Sequence, residues 1–154
     1  MESGGPPFAM NSVPDSRSPL WIALEWISSL VLAGVFLAAA FPKIAEPAKF
    51  ALAIYQYGIL PDSLVNLVAI YLPWLEVSCA AALAVLPAAR RGALVLIAGM
   101  LVVFTLALSL TFLRGQPVPC GCFGGDGESP STWLVLLRNL GLLGLAALGL
   151  RATR

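Results

Sequence analysis

Long apolar runs separated by short polar punctuation dominate the chain. The runs Leu20 to Phe41, Leu64 to Leu86, Ala93 to Leu113 and Trp133 to Leu150 contain few charged residues, and the third has none at all. A helix needs about 20 predominantly apolar residues to cross a hydrocarbon core roughly 30 Å thick. The pattern therefore predicts four membrane spans, at about 20–41, 64–86, 93–113 and 133–150. Ala38 to Ala40 resemble a signal cleavage site, but the run ahead of them exceeds the roughly 7 to 15 residues of a signal core, so an uncleaved first span is expected.

The interruptions have their own character. Residues 1–19 are rich in Gly, Pro and small polar side chains, a composition that cannot bury enough apolar area to order itself, so a disordered tail is expected. Pro42 to Ser63 breaks the membrane pattern with Lys43, Glu46, Lys49 and Asp62, yet Phe50, Ile54 and Tyr57 recur at helical spacing. That spacing predicts a short helix lying in the interface with its aromatic rings at headgroup level. Pro73 falls inside the second run, where it predicts a kink. Arg114 to Thr132 is a Gly- and Pro-rich stretch that carries Cys120 and Cys122. The expected fold is an all-α integral membrane four-helix bundle over residues 20–154, with a Gly/Cys-rich outer loop between its third and fourth spans.

Composition agrees with burial in lipid: 59% of residues are hydrophobic, 11% are charged and the mean hydropathy is +0.89. A net charge of +1 without a basic cluster gives nucleic acid nothing to hold. With no histidine, the commonest metal ligand and the usual acid–base group near neutral pH are both missing.

Four spans place both termini on one side. Arg17, Arg90, Arg91, Arg151 and Arg154 flank that side, against Lys43, Lys49 and Arg114 on the other. The excess of Lys and Arg predicts cytoplasmic termini and an outward-facing, periplasmic Cys120–Cys122 loop, in a compartment where disulfides persist.

Two thiols separated only by Gly121 can close a small, strained ring, and strained exposed disulfides exchange readily with incoming thiolates. The competing readings are an ordered turn of reduced thiols, or a soft Cu(I) or Zn site, for which no third or fourth ligand is visible nearby. Cys79, inside the second span, reads as a small buried hydrophobe, or else as a partner that the loop would have to fold inward to meet. Ionisable residues within spans are costly. Glu76 and Arg138 are expected to approach one another, as a structural ion pair or as the lining of a polar cavity beneath the cysteine loop. Glu25, near the cytoplasmic end of the first span, can reach the interface.

A series of landmarks carries a family likeness: Phe36-Leu37 with Lys43, then Tyr57-Gly58-Ile59-Leu60-Pro61, Leu72-Pro73-Trp74-Leu75-Glu76, Arg114-Gly115, Cys120-Gly121-Cys122-Phe123-Gly124 and Leu137-Arg138-Asn139. Over Leu20 to Leu150 the chain resembles the MauE/DoxX-like family of redox-associated membrane proteins. The resemblance implies a four-span bacterial inner-membrane protein linked to thiol–disulfide chemistry and the maturation of periplasmic proteins. In methylamine utilisation it implies the disulfide-rich small subunit of methylamine dehydrogenase as client and a thioredoxin-like protein of the MauD kind as partner. It also implies Cys120 and Cys122 as the redox pair, and Lys43, Glu76 and Arg138 as polar positions kept in the bundle. Such proteins usually carry a glycine three residues before the lysine, where this chain has Ala40.

The span count is similar to that of quinone-coupled disulfide-forming membrane enzymes, but their Cys-x-x-Cys and second outer cysteine pair are both missing. No cofactor is required by this reading. A separate thiol protein is the expected electron acceptor, and quinone is the alternative. Two other functions remain open: a non-enzymatic membrane scaffold or chaperone for a thioredoxin-like partner, and a small-molecule transporter.

Overall fold

The computed structural model describes residues 18–114 and 132–153. Helices α1 (Pro19–Ala45), α2 (Pro47–Gln56), α3 (Asp62–Val85), α4 (Arg90–Leu113) and α5 (Thr132–Ala152) follow in order, with a 3-10 turn over Pro87–Ala89 before α4. α1, α3, α5 and the segment from Pro87 through α4 are each long and apolar enough to cross a membrane. Each exceeds its expected span by a few residues at one or both ends.

Prolines set the breaks. A residue that precedes proline is pushed out of helical geometry. Glu46 before Pro47 (φ −129°, ψ 67°) and Leu86 before Pro87 (φ −113°, ψ 89°) accordingly end α1 and α3. α2 ends close to Gly58, whose φ of +59° is strained for any side chain. Pro42, by contrast, falls in the last turn of α1 without stopping it, so the helix carries Lys43 with it.

The helices form a closed ring: α1 packs on α3 and α5, and α4 completes it against both. Leu32 and Phe36 of α1, Leu83 of α3, Leu94, Ile97 and Leu101 of α4 and Ala146 of α5 fill the centre. The outside is just as apolar; Tyr71 is 68% exposed, Val103 64% and Trp133 60%. Water would not tolerate so continuous an apolar exterior, whereas lipid requires it. The hydroxyls of Ser78, Thr105 and Ser109 donate to carbonyls one turn back, at 2.8, 2.6 and 2.7 Å, so they stay satisfied without water. Gly149 marks a tight approach of helices, since a Cβ there would lie 3.1 Å from Ser28 Oγ and 3.2 Å from a Leu94 methyl.

α2 forms where the spacing of Phe50, Ile54 and Tyr57 predicts a helix, but its aromatic stripe is turned inward. Phe50 is 7% exposed, and Tyr55 on the opposite face is 56% exposed. The reason lies in the lengths of its neighbours. Lys43, two residues from the end of α1, meets Glu76, which stands 14 residues into α3. About 20 Å of α3 therefore extends past that level at the helical rise of 1.5 Å per residue. α2 packs against this overhang, taking the place that α1 has left.

Candidate functional site

The last turn of α1 carries Lys43 and the middle of α3 carries Glu76, and their side chains meet at 2.5 Å (Nζ to Oε1) with 2% and 1% exposure. Two charges taken out of water need each other and further partners. Lys43 finds them in two aromatic faces, with Nζ 5.2 Å from the centre of the Phe50 ring and 5.3 Å from that of Phe104. Glu76 is less well served, because its Oε2 is buried and accepts no hydrogen bond from any described residue. Lys43 and Glu76 border a chamber of about 30 Å³ together with Arg138 and Asn139 of α5. A volume of that order is enough to admit water, and the walls offer both donors and acceptors.

Next to this chamber lies a much larger cavity of about 550 Å³. Phe104, Arg138 and Asn139 line both spaces. The walls of the cavity come from α2, α3, α4, α5 and the link after α2, with no contribution from α1. It occupies the room left by the early end of α1, and Phe50 and Ile54 of α2, with Tyr57 just past its end, roof it. Among its described lining side chains, Tyr57, Arg138 and Asn139 carry hydrogen-bonding N–H or O–H groups.

A second polar cluster holds the opposite end of the bundle. Arg90, 2% exposed, donates from Nε to the carbonyl of Leu83 at 3.1 Å, pairs with Glu25 at 3.3 Å and stacks 3.5 Å from the centre of the Trp26 ring. The Leu83 carbonyl belongs to the last turn of α3, where helical partners run out and a cation is favoured. Arg90 thus ties the start of α4 to the end of α3 and to α1.

Lys43, Glu76 and Arg138 thus border one chamber in a bundle with four helices long and apolar enough to cross a membrane. The family model described as Methylamine utilisation protein MauE matches residues 21–152. The chain belongs to the MauE family. It is 39% identical over 122 residues to the methylamine utilization protein MauE of Paracoccus denitrificans, covering 79% of this chain and 65% of the relative. With MauE of Methylorubrum extorquens the identity is 36% over 113 residues, covering 73% and 60%. This MauE-family chain therefore spans somewhat less than two thirds of the length of these two relatives. No solved structure matches it.

The site residues expected from sequence are in part brought together. Lys43, Glu76 and Arg138 border one chamber, as a polar lining would require. The ion pair, however, joins Glu76 to Lys43 and not to Arg138. The physical reason is that α1 continues through Pro42, which carries the Lys43 ammonium to the carboxylate, while Arg138 faces the boundary between chamber and cavity. Cys120 and Cys122 lie outside the described residues. The ends of their loop are described: Arg114 donates from Nη1 to the Tyr57 carbonyl at 3.4 Å, and α5 starts at Thr132. Cys79 is a free thiol, 4% exposed and packed into the central core.

Sequence reasoning missed Asn139, Phe50, Phe104 and the Arg90–Glu25 pair as working parts. Asn139 had left a signal, being an amide inside an apolar span. Arg90 had left none, because an arginine pair between two spans reads as a solvated turn.

Proposed function

We propose that this MauE-family protein supports thiol–disulfide exchange at Cys120 and Cys122 during the maturation of periplasmic proteins, and that methylamine utilisation is its pathway. The observation that carries the reading is where the cysteine loop is anchored. Arg114 is held to Tyr57 at the end of α2, and Arg138 and Asn139, six and seven residues after Thr132, border the polar chamber. Both anchors belong to the cavity-bearing end of the bundle. An oxidised Cys120–Cys122 pair accepts a client thiolate to form a mixed disulfide, and a second client thiolate resolves it, leaving the client oxidised and the pair reduced. A thioredoxin-like periplasmic partner then returns the pair to its disulfide by the same exchange, itself becoming reduced.

The expected orientation, termini in the cytoplasm of a bacterial inner membrane and the loop in the periplasm, is supported after the buried cations are set aside. Arg90 and Lys43 are each 2% exposed and paired. Removing one from each side leaves the excess of Lys and Arg unchanged.

The test is trapping in intact cells. With Cys120→Ser or Cys122→Ser, one of the two variants should accumulate a mixed disulfide on non-reducing gels, while the natural chain should not. No adduct with either variant rules the exchange out. The second reading, a scaffold that holds a thioredoxin-like partner, is favoured by the investment of the bundle in the Lys43–Glu76 pair. On that reading the double Cys→Ser chain still supports client maturation, and disruption of Glu76 does not.

A further inference from the structure

The apolar cavity has features that a passive packing defect lacks. At about 550 Å³ it falls within the range of roughly 300–1,000 Å³ typical of small-molecule sites, and like them it is an apolar cleft with a few polar groups, here open to the exterior along α4 beside Val95, Leu96 and Val103. Those groups are sorted by position, with Tyr57 at the α2 roof and Arg138 and Asn139 on α5. Glu76, whose side chain is 1% exposed, borders the adjoining chamber, and its Oε2 is buried without a hydrogen-bond partner among the described residues. An unsatisfied carboxylate oxygen at this depth calls for a donor, which a water in the chamber of about 30 Å³ supplies and a ring carbonyl, itself an acceptor, does not.

A phospholipid does not suit this arrangement. Arg138 lies six residues into α5, about 9 Å along the helix axis, so a phosphate would have to leave the interface to reach it. A pure hydrocarbon would leave the buried Asn139 amide, on a residue 4% exposed, without a use. The chemistry that fits both walls and donors is a neutral, flat ring with carbonyl acceptors on an apolar tail.

We propose that the cavity beneath α2 binds an isoprenoid quinone, with a ring carbonyl accepting hydrogen bonds from Asn139 and Arg138 and the ring lying under Phe50 and against Phe104. The choice of a redox-active lipid rests on the thiol–disulfide reading. A quinone is a second oxidant for the Cys120–Cys122 dithiol beside the thioredoxin-like partner: closing the dithiol to a disulfide releases two electrons and two protons, which the quinone takes up as it becomes a quinol. Binding itself needs only the cavity.

The test is a binding measurement on the full chain in detergent, made both with the natural cysteines and with Cys120→Ser/Cys122→Ser. Decyl-ubiquinone is the probe, read as quinone retained per chain after gel filtration and as a rise in the thermal midpoint. Saturable binding near one per chain is expected in both forms. Gly99 lines the cavity, and a Cβ placed on it meets nothing within 4 Å, so Gly99→Leu should fold normally and fill the space. It should weaken binding at least tenfold, and Asn139→Leu about fivefold, the worth of one hydrogen bond. Absence of saturable binding, an unchanged affinity in Gly99→Leu, or equal stabilisation by decylbenzene would overturn the proposal. If quinone binds the cysteine-free chain while no mixed disulfide can be trapped in cells, the cavity assignment stands and the exchange reading falls.

Discussion

Lys43 and Glu76 are 33 residues apart in sequence and 2.5 Å apart in space, with both side chains almost wholly excluded from the surface. Their contact sets how α1 and α3 lie against one another. It fixes the level at which α1 ends, and hence the overhang that α2 covers and the cavity between them.

This pair should behave as a unit. Removing one partner leaves a buried, uncompensated charge, so Glu76→Leu and Lys43→Met should each lower stability by about 3–5 kcal/mol. The double variant should recover much of that loss, because two apolar side chains of similar size leave nothing unpaired. Thermal unfolding of the four chains in one detergent checks this, and additive losses in the double variant would mean that the two residues act separately.

How much of this was legible in the sequence follows from the physics of each feature. The four spans were readable because a bilayer demands long apolar runs, and those runs are written directly in the chain. The gathering of Lys43, Glu76 and Arg138 was partly readable because charge in a span needs a reason. The choice of Lys43 over Arg138 as the partner was not. It depends on α1 running through Pro42 by one more turn, and helix ends are the least determined feature of any sequence pattern. The inward turn of the α2 aromatic face depends on the unequal reach of α1 and α3, a tertiary relation that periodicity within α2 does not carry. Arg90 looked like a loop cation because the stacking surface of Trp26 lies 64 residues away in the chain.

Arg90 gives the second prediction. Its guanidinium donates to the Leu83 carbonyl, pairs with Glu25 and stacks on Trp26 at the same time, which an ammonium cannot reproduce. Arg90→Lys should therefore cost about 1–3 kcal/mol despite keeping the charge. Arg91→Lys, at the neighbouring position, serves as the control and should be near neutral. Equal midpoints for the two variants would show that the stacked geometry contributes nothing.

At Gly149 the constraint is space. A side chain there meets Ser28 and Leu94 inside ordinary contact distance, on two different helices that would both have to move. Gly149→Val should destabilise the bundle by about 1–3 kcal/mol through overpacking. Gly144→Val, where a Cβ meets nothing within 4 Å, should be tolerated. The comparison is read from thermal midpoints, and a Gly149→Val chain as stable as Gly144→Val would remove the close approach of α1, α4 and α5 from the account.

Cys79 supplies the last prediction, because its placement separates a structural thiol from a redox one. It is packed with Ala80 and Leu83 of α3, Leu32 and Phe36 of α1, and residues of α4 and α5. One turn further along α3 than Glu76, it stands well over half of that helix away from the end where Arg114 and Thr132 anchor the cysteine loop. A thiol so enclosed should react with maleimide far more slowly in the folded chain than after denaturation, since labelling requires local opening of the core. Cys79→Ala should leave mixed-disulfide trapping at Cys120 or Cys122 intact and cost about 1 kcal/mol for the small cavity it leaves. Loss of trapping in a Cys79→Ala chain of near-natural stability would instead make this thiol part of the electron path, and would require the loop to reach into the core.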